Sequence, residues 1–423
     1  MAFKLTDQRD MDFVLYEQFK VDSFLTSEKY QTFNKRMFDM VIKEAKNLAV
    51  KEIFPTYTQC DKEGVVFENG VVKVPECLRR PHKLLKEGEW SALTESPEYG
   101  GQGLPFTIAQ AAMEYLTGAN YVLTTYPILS HGAGKMIDLF GTGEQKDLFL
   151  KKLYTGAWGG TMLLTEPGAG SDVGALTTSA KKMDDGTYDI TGSKIFITNG
   201  EQNLTDNIIH PVLARIEGAP AGTRGISLFI VEKGTPGFSS HEMKKLGMRS
   251  SKLAELVFKD CRIPKSQLLG PLHKGFRSSI KVLSMGRAIA SAFSVGIGME
   301  ALRQTVEHTK IRYQGGGVLA KKQAIRFTLA DMETRLEASR LMAYSSADLI
   351  DKGKPFDLEC SIAKVFATET VTWCCERALH LHGAQGYMMD SDIQRFYRDC
   401  KVLEIGEGTN EIQREMISAM LLG

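Results

Sequence analysis

The chain has 423 residues, 43% of them hydrophobic and 24% charged, an ordinary globular composition with length for two or three packed units. Its net charge of +1 argues against a nucleic-acid or acidic-membrane partner. The seven cysteines (Cys60, Cys77, Cys261, Cys360, Cys374, Cys375 and Cys400) are odd in number and form no CxxC pair, which predicts reduced thiols and a cytoplasmic protein.

The opening "MAFKLTDQRDMDF" carries acids early and no apolar h-region, so no signal peptide is expected. Residues 1–157 read as a helical domain. "FNKRMFDMVIKEAKNLAVKEI" and "FTIAQAAMEYLTGANYVLTTYPILSHGAGKMIDLF" predict long helices. Between them lie a segment with short β-like runs, residues 55–81, and the glycine-rich loop "SPEYGGQGLP". Residues 158–272 change texture. "GTYDITGSKIFITNG", "RGISLFIVEKG" and "LAELVFKDCRIP" are β-branched and aromatic runs bounded by turn residues, and "MDDGTY" supplies an Asp185-Gly186 hairpin turn. This predicts an antiparallel β domain. From 273 to 423 the helical period returns, with Ile325, Leu329, Met332 and Leu336 forming one buried stripe. The apolar run "VLSMGRAIASAFSVGIGM" is interrupted by Arg287 and reads as a buried helix, not a membrane span. The fold class is α+β, with a β domain between two helical domains.

"LLTEPGAGSDVGALTT" (163–178) ends a strand in a loop whose small residues would let backbone N–H groups approach a phosphate, with the Ser171 hydroxyl beside them. Alone it is weak evidence, and a plain surface turn is the better reading. It is followed, in order, by "KIFITNG", "HGAQGY" and "GEGTNEIQRE", and preceded by "PEYGGQGL". Together these motifs resemble the acyl-CoA dehydrogenase family, in order, over nearly all of the chain from about residue 90. The resemblance implies an N-terminal helical domain, a middle β domain and a C-terminal four-helix bundle. It also implies bound FAD, an acyl-CoA substrate, electron transfer to an electron-transfer flavoprotein, and a homotetramer or homodimer.

The resemblance assigns roles residue by residue. Met162, Leu164, Thr165, Gly170 and Ser171 match cofactor positions, with Ser171 also near the CoA chain. Phe196, Ile197 and Thr198 match the stretch along the flavin; strand alternation puts Phe196 and Thr198 on one face and Ile197 on the other. Arg312, Gln314 and Gln323 match residues that reach the FAD of a neighbouring subunit, although Gly315 stands where an aromatic residue is usual. His380, Gly383 and Ala384, then Thr409 and Glu411, complete the cofactor set, with His380 in place of a common glutamine. His380 and His382, two residues apart, are poorly spaced for a metal on one helix face, and no metal site is expected. Asn410 is a candidate N-cap, with Gln413 completing a capping box.

Glu407 lies between two glycines just before a helix. The family reaction removes an α-proton and passes a β-hydride to the flavin, and Glu407 matches its catalytic base. A desolvated carboxylate close to the thioester suits that step. The plainer reading is a loop acid serving the helix dipole. Some relatives carry the base on a helix matching "LSMGRAIA", but Gly286 stands at that position. Leu283, Arg287, Gly406 and Gly408 match substrate-side positions. Arg287, the lone charge in an apolar helix, must either be paired, a salt bridge to Glu407 or another acid being one role open to it, or face a polar cavity. Gly406, where a bulky aromatic is common, leaves room for a wide acyl group. The alternatives to a dehydrogenase are an acyl-CoA oxidase using O2 and a noncatalytic DNA-associated flavoprotein of the superfamily.

Overall fold

The computed structural model describes residues 5–68 and 71–423. In the N-terminal region the Lys35–Leu48 helix starts on Asn34, whose side chain accepts from the Met37 N–H, and buries Phe38, Ile42 and Ala45. A short antiparallel hairpin, Val66–Glu68 with Val71–Lys73, follows within the expected β-like segment. The Phe106–Phe140 helix is almost entirely buried. It is not the continuous rod that its composition predicts. Asn120 takes an extended conformation (φ −162°, ψ 95°), and its side-chain oxygen accepts from the Leu123 N–H at 3.1 Å. Asn120 therefore caps a second helix within the first.

The middle sheet runs in the order Leu268–Leu269, Ile226–Glu232, Ile208–Ile216, Ser179–Lys182, Tyr188–Thr198, Leu253–Ile263, Phe238–Met243, with Gly159–Gly160 also beside Ile208–Ile216. Most neighbours are antiparallel, as expected. Two are parallel: Ser179–Lys182 and Gly159–Gly160 each run alongside Ile208–Ile216, so the sheet is mixed. The expected hairpin forms after Lys182, with Gly186 in the left-handed region (φ +85°).

Helices Gly275–Ile311, Gln323–Asp351, Asp357–His382 and Asn410–Leu422 make the C-terminal bundle, with Asp392–Cys400 packed beside them. Met332 and Leu336 are buried, whereas Ile325 and Leu329 are only half-buried, so the expected stripe sinks into the core along its second half. Helix Gly275–Ile311 is long and apolar enough to cross a membrane, but 83% of its most apolar window is buried inside the protein. One apolar core joins the N-terminal helices to the C-terminal bundle, a second packs the sheet against Met136, Ile137, Phe149 and Leu153 of the N-terminal helices, and a third lies within the β domain. The buried Asp399 carboxylate links all three regions. It accepts from the Tyr57 hydroxyl at 2.8 Å and from the Met248 N–H, while neighbouring Arg398 pairs with Asp61.

Candidate active site

Where the three regions meet lies a cavity of about 140 Å³. The second half of Phe106–Phe140 contributes Tyr121, Thr125, Ile128, His131 and Lys135 to its wall. The β domain contributes Met162, Thr198 and Met248, and helix Gly275–Ile311 contributes Val282, Met285, Gly286 and Ile289. The loop before the last helix supplies Gly406 and Glu407. The helical wall follows the 3.6-residue period, which gathers 282, 285, 286 and 289 on one face. Leu283 falls off that face and does not line the cavity, contrary to its expected substrate role.

Among the described residues, Glu407 is the only acid lining this cavity. Its backbone is left-handed (φ +57°), uncommon for a residue with a side chain, and Gly408 follows at φ +84°. The conformation turns the carboxylate toward helix Gly275–Ile311: a Cβ on Gly286 would come within 2.9 Å of Oε2. Oε2 is enclosed and has no hydrogen-bond partner among the described residues. Burial raises the Glu407 pKa above the ordinary carboxylate range, although Arg287 and Lys364 pull the other way. An enclosed, unpartnered carboxylate oxygen at an otherwise largely apolar wall is poised to accept a proton.

Arg287 is buried, but no ion pair holds it among the described residues. Its Nη1 donates to Ser284 at 3.4 Å, and its Nε is unpartnered. Its charge acts on Glu407 through space, and of the two options the salt bridge does not form among the described residues. The helix cap also differs from expectation. Thr409 is the N-cap, accepting from the Ile412 N–H at 3.3 Å. Asn410 is drawn inward instead to Thr368 and Lys364, and Gln413 donates to the carbonyls of Glu407 and Gly408.

The cofactor candidates divide by location. Phe196 is 56% exposed, next to Thr198 at the cavity wall, while Ile197 is buried in the sheet core. The expected two-sided alternation is present there, but on a bulged strand: the register shifts between Lys194 and Ile197, and Phe196 is left-handed (φ +61°). Leu164 and Thr165 are half-buried on the adjoining segment, and the Thr165 carbonyl accepts from the Ile195 N–H. Ser171 and Gly170 are exposed, and nothing lies within 4 Å of a Cβ built on Gly170, leaving its backbone open to a bulky group. A broad exposed aromatic beside a threonine, continuous with an open small-residue loop, fits a flat ring bearing a phosphate-linked tail. Arg312, Gln314, Gln323, His380, Gly383 and Ala384 are exposed and away from the cavity, as is Glu411. His382 stacks on His308 with centroids 4.0 Å apart.

One cluster escaped the sequence reading. Glu95 is buried between His131 (2.8 Å) and Lys135 (2.6 Å) at the edge of the cavity. Burial pushes the Glu95 carboxyl up, but these two partners outweigh it and hold it well below its usual range. The signal was present: His131 and Lys135 interrupt an apolar helix, as Arg287 does.

The N-terminal helices, the β domain and the C-terminal bundle thus enclose an apolar cavity with Glu407 at its wall. The chain belongs to the acyl-CoA dehydrogenase family: its N-terminal, middle and C-terminal domain descriptions match residues 37–157, 161–261 and 273–422. Members of this family are flavoproteins, and the protein is an enzyme of that class. It is 36% identical over 392 residues to the 3-(aryl)acrylate reductase of Clostridium sporogenes, covering 92% of this chain and 100% of that protein. It is 37% identical to the caffeyl-CoA reductase–Etf complex subunit CarC of Acetobacterium woodii, covering 76% of this chain and 83% of that one. The butyryl-CoA dehydrogenase structure from Megasphaera elsdenii superposes with a TM-score of 0.84 at 34% identity, over 92% of this chain and 100% of the other.

Proposed function

We propose that this protein carries out FAD-dependent α,β-dehydrogenation of an acyl-CoA thioester to a 2,3-enoyl-CoA, with Glu407 removing the α-proton. The observation that carries this reading is the enclosed, unpartnered Glu407 Oε2 at the wall of an apolar cavity. FAD, when bound, supplies the acceptor for the β-hydride. Phe196, Thr198, Thr165, Met162 and the Gly170-Ser171 loop would hold it, and the apolar wall excludes water from the acyl chain. Glu407 stores the α-proton on its carboxylate. The Gly406-Glu407-Gly408 backbone lets the thioester approach closely, so that a main-chain N–H can stabilise its oxygen.

The exposed Arg312, Gln314 and Gln323 would reach the cofactor of a second copy in a homodimer or homotetramer. An electron-transfer flavoprotein as acceptor is supported by the CarC–Etf relative. The reductase names among the relatives favour a second direction of the same chemistry, in which protonated Glu407 returns the proton to an enoyl-CoA.

The test is anaerobic reduction of the protein-bound flavin by a panel of saturated acyl-CoA thioesters, and reoxidation of the reduced protein by enoyl-CoA esters. Bleaching by at least one thioester is expected. A protein that neither contains nor takes up FAD, or that no thioester bleaches, overturns the reading. Rapid reoxidation in air would make the enzyme an oxidase.

A further inference from the structure

The loop that carries Glu407 is held by a group outside every motif described above. Lys364, on helix Asp357–His382, is fully buried. Its ammonium donates to the Glu404 carbonyl at 3.2 Å, the Gly408 carbonyl at 2.9 Å and the Asn410 side-chain oxygen at 2.8 Å. An ammonium has three N–H donors, and all three are spent on this one loop. Two anchor points lie beyond Glu407 and one before it, so the chain is laced on both sides of the base. We propose that Lys364 is the positioning residue of the proton-abstraction step, fixing the left-handed turn that sets the Glu407 carboxylate over Gly286. This inference rests on the reading of Glu407 as base.

A simple loop staple would not need a charge there. Burying an ammonium with no carboxylate in ion-pair contact is costly, and burial lowers the Lys364 pKa to about 8. Glu407 acts on it in the opposite direction, with Glu404 and Glu411 also favouring its charged form and Arg287 opposing it. From the other side, Glu407 faces Lys364 and Arg287, the latter on the helix packed across the cavity, and the Tyr121 hydroxyl on the N-terminal helix. The same group thus sets where the carboxylate sits and how readily it ionises. A neutral staple would do only the first.

Lys364→Met removes both charge and donors. Lys364→Gln keeps amide donors and removes the charge, and serves if the methionine variant does not fold. The Glu407 carboxyl is titrated by infrared difference spectroscopy on the FAD-loaded protein without acyl-CoA, using Glu407→Gln to identify its band. In either folded variant the Glu407 midpoint should move to higher pH. Flavin reduction by a thioester active on the wild type should fall by roughly 10- to 100-fold at neutral pH, the scale of a misplaced catalytic group, with its acid limb displaced in the same direction. An unchanged Glu407 midpoint in a folded variant overturns the inference. Failure of every thioester to bleach the wild type would instead strike the proposed function, because the carboxyl titration needs no turnover.

Discussion

The Glu407 carboxylate occupies the space into which a side chain on residue 286 would grow: a Cβ there would lie 2.9 Å from Oε2. Gly286→Ala should therefore displace the carboxylate while the helix itself, at an ordinary helical position, gains up to about 1 kcal/mol of propensity. Flavin reduction should fall by at least about tenfold with an unchanged or raised melting temperature. Stopped-flow bleaching and calorimetry on one preparation check both arms. An alanine variant with the wild-type rate would show that Glu407 needs no such clearance.

Glu407→Gln should lower flavin reduction by at least about 10²-fold, the lower end of general-base contributions, while FAD and acyl-CoA binding persist. Its effect on stability has a defined sign. The Glu407 pKa is raised in the folded protein, so the ionised side chain opposes folding above that pKa, and the opposition fades as the pH falls through it. The glutamine variant should thus melt higher than wild type at neutral pH, with the gap closing toward pH values below the ordinary carboxylate range. A helix-dipole role alone predicts the reverse: a loss of at most about 1 kcal/mol with little change in rate.

Gly406 lines the cavity, and a Cβ there meets only the Val402 carbonyl, at 3.4 Å. Its φ is not left-handed, so a side chain does not strain the backbone at this position. Gly406→Tyr should slow turnover of branched or cyclic acyl-CoA esters more than of short straight ones. A steady-state panel measures the ratio; an equal loss across the panel would mean that the loop, and not the pocket width, had changed.

Lys135→Met leaves the buried Glu95 with His131 as its only ion-pair partner among the described residues. The variant should lose about 1–3 kcal/mol, the cost of leaving a buried polar group short of a partner. Because the folded Glu95 pKa is depressed, its contribution is present above the unfolded carboxyl pKa and disappears as the pH falls through the folded value. Urea unfolding from pH 7 downward should therefore show the difference between variant and wild type holding at pH 7 and narrowing only below the ordinary carboxylate range.

Texture made the three-part architecture legible: helical period, short β-branched runs, then helical period again. Motifs in sequence order singled out the strand that ends at Thr198 and the loop of Glu407, and the fold brings both to one cavity. What stayed hidden depends on contacts between distant residues. Asn120 caps locally, to the Leu123 N–H, but what holds its amide in that pose, Thr56 and Cys60, comes from an earlier segment and could not be read from the helix alone. The N-cap shifts from Asn410 to Thr409 because Lys364, forty-six residues away, takes the asparagine side chain. Leu283 was placed by motif alignment, and the helical period then turned it off the cavity face. Arg287 was correctly expected to be buried, but its company could not be read from an apolar run.

The carboxylate of Asp399 receives one hydrogen bond from Tyr57 and another from the Met248 main chain, and so touches each third of the chain. Cutting out any one third would strand a buried donor or acceptor of this cluster, and it would split the apolar core shared by the first and last regions. The protein is thus a poor candidate for dissection into autonomous modules.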